Sequence, residues 1–136
     1  MPQDSSEPRG PASLTSSEHQ PLDISAVVER CGNDAKFASQ LLEKFQTLAA
    51  GELAKLEKAL AAGDSPAAVR SAHSIKSMAA YASADGASKL ARQIEELGRA
   101  DQLTEMTTII TALRQEIDWT ISWIAKSEKV RALKRA

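Results

Sequence analysis

The fold is decided by residues 72–99, which read AHSIKSMAAYASADGASKLARQIEELGR. Apolar residues recur here at spacings of three and four, which places them on one face of an α-helix. The stripes run through Ala68, Ala72, Ile75, Ala79 and Ala82, and then through Ala87, Leu90, Ala91, Ile94 and Leu97. We therefore predict two amphipathic helices, over residues 66–82 and 85–97.

Capping residues mark the ends of these two helices. Ser65 precedes Pro66, and because proline is tolerated at the first helical position we predict Ser65 as the N-cap of the first helix. Ser83 is placed to cap the start of the second helix. Gly98 follows its last apolar residue and is predicted to end it.

Helical periodicity continues on both sides of this region. A short helix is predicted over residues 23–31, and longer ones over 35–61 and 102–126. Links of a few residues between long helices favour antiparallel neighbours. We therefore predict an all-α fold, an up-down antiparallel four-helix bundle over residues 22–126 with a short extra N-terminal helix at one end.

The two ends of the chain lack a core-forming pattern. Residues 1–21 are rich in Ser, Pro, Glu and Gln, so burial cannot offset the entropy of ordering them, and we predict a flexible tail. His19 lies in this tail and is expected to be a solvated side chain. Residues 127–136 form a mildly basic end, for which we expect a frayed, solvated terminus.

Composition excludes several classes of protein. The 136 residues include 17 basic and 18 acidic ones, a formal net charge of −1, which does not suit a nucleic-acid binder. Cys31 is the only cysteine, so no intrachain disulfide can form. The sequence has neither an apolar run of membrane-spanning length nor a secretion signal at its N-terminus. We expect a soluble, monomeric, cytoplasmic protein.

His73 is the residue whose position suggests function. With an advance of 100° per residue, it lies roughly 140° from the centre of the apolar stripe and therefore faces solvent. Its neighbours on that face are Val69, Arg70, Lys76, Ser77 and Ala80. Small side chains beside an exposed imidazole leave it accessible to a macromolecular partner, and the charge of Lys76 favours an anion there.

The same residues allow other interpretations of His73. It can be an ordinary surface histidine. A metal site would need further ligands three or four positions away, where the chain has Lys76 and Ser77. A Ser–His nucleophile pair would need an acid to orient the base, and none is evident on this helix. Phosphoryl acceptance needs only one nucleophilic nitrogen and an acceptor for the proton on the other.

The stretch from Ala72 to Arg99 resembles the histidine-containing phosphotransfer (Hpt) domain family. That family carries a pattern like A-H-x-L/I-K-G-x-x-x-x-x-G, followed by a Leu/Ala-rich helix ending in L-E. The matching positions are Ala72, His73, Ile75, Lys76, Ala84, Leu90, Ala91, Ile94 and Glu95. Ser77 and Ser83 stand where the family has glycine. The resemblance extends over about residues 22–125.

The resemblance implies roles for individual residues. His73 is the residue expected to be phosphorylated, and Lys76 is expected to hold the phosphoryl oxygens. Glu95 matches a position whose polar side chain steadies the imidazole; an ordinary solvated glutamate is the alternative. The neighbours of His73 that are expected to contact a partner are Val69, Arg70, Ser77 and Ala80.

The function implied is that of a phosphoryl carrier. The chain would relay a phosphoryl group between receiver-domain aspartates of response regulators or hybrid sensor kinases, or accept it from a sensor kinase. No glycine-rich nucleotide loop is present, so we expect no kinase activity of its own. No cofactor is expected, and any Mg²⁺ would come with the receiver domain. The alternative is a non-catalytic helical protein that docks to receiver domains or sequesters them.

Overall fold

The computed structural model describes residues 20–135, which form six α-helices and no strand. The helices are α1 (Ile24–Arg30), α2 (Ala35–Ala62), α3 (Ser65–Tyr81), α4 (Asp85–Arg99), α5 (Leu103–Lys126) and α6 (Glu128–Arg135). The predicted all-α class, with a short helix before four longer ones, is confirmed.

Helices α2 to α5 form an up-down bundle. Each packs against the next along the chain, and α5 returns to contact α2 and closes the bundle. The short helix α1 lies at the end where α3 stops, because Arg30 Nη1 donates hydrogen bonds to the carbonyl oxygen of Tyr81 at 2.9 Å and to Ser83 Oγ at 2.7 Å. The predicted cap at one end of the bundle is therefore present.

Alanine sets how closely the helices approach. Ala68, Ala72 and Ala79 of α3 are fully buried, as are Ala87 and Ala91 of α4, so the two backbones come close together. Larger side chains fill the centre of the bundle: Leu42, Leu53, Leu56, Ile75, Ile94, Leu113 and Ile117. Within residues 20–135, no helix combines the length and the apolar character that crossing a bilayer would require.

The start of α3 differs from the prediction. Asp64, not Ser65, is the N-cap, and its Oδ1 accepts a hydrogen bond from the Ala67 N–H at 3.1 Å. The Ser65 hydroxyl instead donates to Asp101 Oδ1 at 2.7 Å. Aspartate is as good an N-cap as serine. Asp64 lies one residue before Ser65, and its carboxylate accepts a hydrogen bond from a backbone N–H of the first turn that would otherwise have no partner.

The predicted start of α4 at residue 85 is confirmed, but the residues predicted to cap its start and to end it are wrong. Ala84 is the N-cap and makes no side-chain capping bond, because Ser83 lies in a left-handed turn (φ 56°) and its hydroxyl accepts from Arg30. Gly98 does not end the helix, which continues to Arg99. Gly98 is buried against α3: a Cβ placed on it would lie 2.7 Å from Val69 Cγ2. Because Gly98 has no side chain, α4 can pack closely against α3 at this point.

Gly98→Ala is therefore expected to destabilise the fold. The added methyl group overlaps Val69, and overpacking of this kind costs about 1–3 kcal/mol, more than the gain in helix propensity returns. Thermal and urea unfolding measure the change. Gly51→Ala in α2 is the matched control, since nothing lies within 4 Å of its added Cβ and a small gain is expected. Equal effects of the two substitutions would contradict close packing at Gly98.

The C-terminal residues form a sixth helix. Val130 of α6 is buried against the bundle, and Lys134 Nζ lies 2.7 Å from Glu43 Oε2 of α2. The frayed, solvated end predicted for residues 127–136 is therefore wrong for 128–135. At the other end, Pro21 is already buried. Residues 1–19 of the predicted tail, including His19, lie outside the described residues.

Glu116 of α5 is a buried carboxyl group in this core. It is 3% exposed and packs against Gly86 of α4, and its Oε1 has no hydrogen-bond partner among the described residues. Burial raises the pKa of Glu116. A group with a raised pKa holds its proton more tightly in the folded state, so its contribution to stability falls as the pH rises above the ordinary glutamate value.

Glu116→Met is expected to stabilise the protein at neutral pH. An apolar side chain of similar size removes the unpaired carboxyl group, a change worth about 1 kcal/mol. The gain should shrink as the pH is lowered through and below the ordinary glutamate pKa, where the carboxyl group becomes protonated in both the folded and the unfolded state. Unfolding at several pH values measures this, with Glu105→Met at an exposed position of α5 as the control. Destabilisation at pH 7 would mean that the carboxylate supports the fold.

Candidate functional site

His73 lies in the middle of α3, opposite the face that enters the core. The helix is positioned by its buried stripe, in which Ala72 and Ile75 flank His73 and are fully buried. The imidazole side chain is 58% exposed. The prediction that His73 faces outward is confirmed.

Glu95 projects from α4 beneath this histidine. It is buried, 5% exposed, and its Oε2 lies 3.1 Å from His73 Nδ1. The two residues are 22 positions apart in sequence, and packing of α4 on α3 brings them together; the Ser88 hydroxyl adds a bond to the Lys76 carbonyl oxygen at 3.2 Å. The alternative of an ordinary solvated glutamate is wrong for Glu95, although Glu96 is exposed.

Two cations complete the cluster around Glu95. Lys76 Nζ, one turn from His73 on α3, lies 2.9 Å from Glu95 Oε1. Arg99 Nη2, one turn along α4, pairs with Glu95 Oε2, the oxygen that also faces His73. Arg99 was not singled out from the sequence. Arg99 follows Glu95 by four residues, a spacing that places the two side chains on one helix face and could have indicated Arg99 from the sequence.

The cluster keeps Glu95 ionised. Burial alone would raise the pKa of Glu95, but hydrogen bonds from Lys76 and His73 and the charges of Lys76 and Arg99 outweigh burial, and the pKa is lowered. An ionised carboxylate can only accept hydrogen bonds. The Nδ1 of His73 must therefore carry the proton in this contact, which leaves the lone pair of the neutral imidazole on Nε2.

This geometry can support nucleophilic chemistry at Nε2. The buried carboxylate fixes the orientation and tautomer of an otherwise exposed ring, and it can stabilise positive charge that develops on the ring. A Ser–His nucleophile pair needs an acid that orients the histidine, and Glu95 is such an acid. Within residues 20–135, however, neither Ser74 nor Ser77 is hydrogen-bonded to the imidazole, so the geometry favours the histidine itself as the nucleophile.

The remaining predicted residues surround His73 on the same face. Arg70, Ser77 and Ala80 are exposed within one or two turns of it. Val69 is half-buried, because its side chain packs against Gly98 of α4. The structure thus brings Lys76 and Glu95 into direct contact and leaves Arg70, Ser77 and Ala80 open to solvent. Their contact with a partner stays a prediction.

Comparison with known proteins gives a consistent result. A family model described as the Hpt domain matches residues 40–123, which include His73, Lys76 and Glu95. The crystal structure of the HPT domain from the Hpt sensor hybrid histidine kinase from Shewanella matches with a TM-score of 0.71 at 14% sequence identity, covering 85% of this chain and 96% of that chain. At that identity the likeness concerns the fold. No curated protein sequence matches this chain.

Proposed function

The chain belongs to the Hpt domain family, and on this premise we propose that it relays a phosphoryl group between receiver-domain aspartates through His73. Hpt domains are phosphocarrier modules of two-component phosphorelays. One observation carries the assignment to His73: an exposed imidazole whose Nδ1 is held by a buried, ionised carboxylate. An ordinary surface histidine has no such partner.

The transfer step uses atoms that this cluster presents. The Nε2 lone pair attacks the phosphorus of an aspartyl phosphate on the receiver. The N–P bond forms as the P–O bond to the aspartate breaks, and the carboxylate leaves with that electron pair. The proton on Nδ1 stays in place, and Glu95 stabilises the positive charge that the ring acquires. Transfer to a second receiver reverses these steps, and any Mg²⁺ is supplied by the receiver.

Lys76 has a separate role in this proposal. Its ammonium group lies beside Glu95, and its side chain is 30% exposed on the face of His73. A phosphoryl group on Nε2 adds negative charge within reach of this flexible side chain, which can leave one Glu95 oxygen to pair with the phosphoryl oxygens. Arg99 remains to neutralise Glu95 when Lys76 turns away.

Transfer from phosphorylated receiver domains tests the function. Receiver domains are phosphorylated with acetyl phosphate and mixed with the chain. We expect acid-labile, base-stable phosphate to appear on this chain. A protein that only docks to receivers or sequesters them would bind without acquiring phosphate. Binding without phosphate turnover would therefore replace the proposed function by this second one.

Ser77 tests whether the face around His73 receives the partner. It is exposed one turn from His73, where the family has glycine. Ser77→Tyr is expected to slow transfer from the receiver by about 100-fold, because the reacting atoms must approach to about 3–3.5 Å. Ser77→Gly should transfer at least as well as the wild type. Reaction with phosphoramidate, a small donor that needs no docking, gives the reference rate. Unimpaired receiver transfer in Ser77→Tyr would place the docking face elsewhere.

A further inference from the structure

A shallow groove of about 640 Å³ opens between the start of α3 and the end of α4. Pro66, Val69 and Gly98 give it an apolar lining, and Arg70 and Arg99 stand at its edge. We call it the Arg70–Arg99 groove. Arg70 precedes His73 by three residues, so the groove begins about one helical turn, or about 5 Å, from the histidine.

Arg70 gives the groove a positive charge that is unpaired within residues 20–135. Arg70 is exposed, and no carboxylate of residues 20–135 lies within 4 Å of its guanidinium. Arg99 is 59% exposed, but its charge is balanced by the Glu95 carboxylate. The lining also holds one acidic residue, Asp101, which accepts a hydrogen bond from Ser65 at 2.7 Å, a neutral donor that does not offset the charge of a carboxylate. An apolar lining beside the guanidinium of Arg70, which is unpaired in the described part of the chain, fits an apolar side chain next to a carboxylate, a combination that a free phosphate does not offer.

The groove lies within the area that a protein bound at His73 must cover. A standard interface buries about 800 Å² on each partner, which corresponds to a disc with a radius of about 16 Å. Centred on His73, a disc of that size includes both arginines. A receiver domain whose aspartate reaches His73 therefore also presents part of its surface to the groove.

We propose that the Arg70–Arg99 groove is a specificity site that takes an apolar side chain and an adjacent carboxylate from the surface of the partner receiver. The proposal rests on the proposed function, since the partner is the receiver that exchanges phosphate with His73. Complementary charge at the edge of an interface mainly raises the association rate and selects among partners. Receivers that lack an acidic residue at this place should transfer slowly.

Two variants test the charged and the apolar part of the groove separately. Arg70→Glu reverses the charge at an exposed position, and Pro66→Phe places a bulky side chain at the exposed edge of the lining. Lys129→Glu makes the same change in net charge as Arg70→Glu on α6, outside the groove. For each protein the rate of transfer from the receiver that reacts fastest with the wild type is divided by the rate with phosphoramidate.

The ratio of the two rates is expected to fall about 10-fold or more in Arg70→Glu at low salt. This deficit should shrink at high salt because the charges are screened. Pro66→Phe should lower the ratio at every salt concentration, and Lys129→Glu should leave it unchanged. Wild-type ratios in both Arg70→Glu and Pro66→Phe would overturn the groove while the proposed function stands. A wild-type chain that takes phosphate from neither donor would overturn the proposed function and the groove together.

Discussion

His73→Gln is expected to abolish phosphate uptake from both receivers and phosphoramidate. Glutamine can replace histidine on the surface of α3 without disturbing the helix, but its amide nitrogen has no lone pair available to attack phosphorus. Among the described residues 20–135, His73 is the only histidine. The expected effect is a loss of labelling to background, measured as acid-labile phosphate on the intact chain.

Stability provides the control for this substitution. Because the side chain is 58% exposed, the change in the free energy of unfolding should stay within about 0.5 kcal/mol. Helicity and the melting temperature should therefore match the wild type. Phosphate on the His73→Gln chain would mean that another residue is the acceptor, whereas unfolding would mean that lost labelling says nothing about chemistry.

The bundle could be predicted because its signal is periodic and local. The apolar stripes of α3 and α4 recur every three or four residues, and burial of these stripes alone places the helices against each other. Helix ends were harder, because a cap is chosen among neighbouring candidates by contacts that are distant in sequence. Ser65 bonds to Asp101, and Ser83 to Arg30, so neither hydroxyl caps the helix beside it.

The role of Gly98 was harder to predict for a related reason. In a single sequence, Gly98 after an apolar run is typical of a helix end. What decides its role is Val69 on the neighbouring helix, almost 30 positions earlier, whose methyl group occupies the place of a side chain. Helix α6 could not be predicted for the same reason. Its Val130 is buried only because the end of α5 places α6 against α2, which is distant in sequence.

The site was predictable to the extent that it lies on one helix. The outward direction of His73 and the nearness of Lys76 follow from the geometry of α3. The contact between His73 and Glu95 depends on the register between α3 and α4, which helical periodicity leaves open. The resemblance to the Hpt family indicated Glu95. Only the packed structure distinguishes its buried carboxylate from the exposed Glu96 beside it.

Glu95→Ala is expected to slow phosphorylation of His73 by about 10- to 100-fold from either donor, a typical cost of removing a residue that orients a reactive group. The substitution removes the acceptor that holds the Nδ1 proton and the counter-charge of Lys76 and Arg99. Without it the ring rotates and both neutral tautomers are populated, so fewer molecules present a lone pair on Nε2. Glu95→Gln keeps an acceptor oxygen but no charge, and should fall between Glu95→Ala and the wild type.

A positioning role predicts signatures that a purely structural role would not give. Nitrogen NMR of His73 should report a single Nδ1–H tautomer in the wild type and a mixture in Glu95→Ala. The pKa of Glu95 is lowered, so its stabilising contribution is present above the ordinary glutamate pKa and is lost as the pH falls below it. The difference in unfolding free energy between wild type and Glu95→Ala should therefore shrink in acid. Glu96→Ala, one residue along at an exposed position, is the matched control, and equal rates in the two variants would show that Glu95 does not position His73.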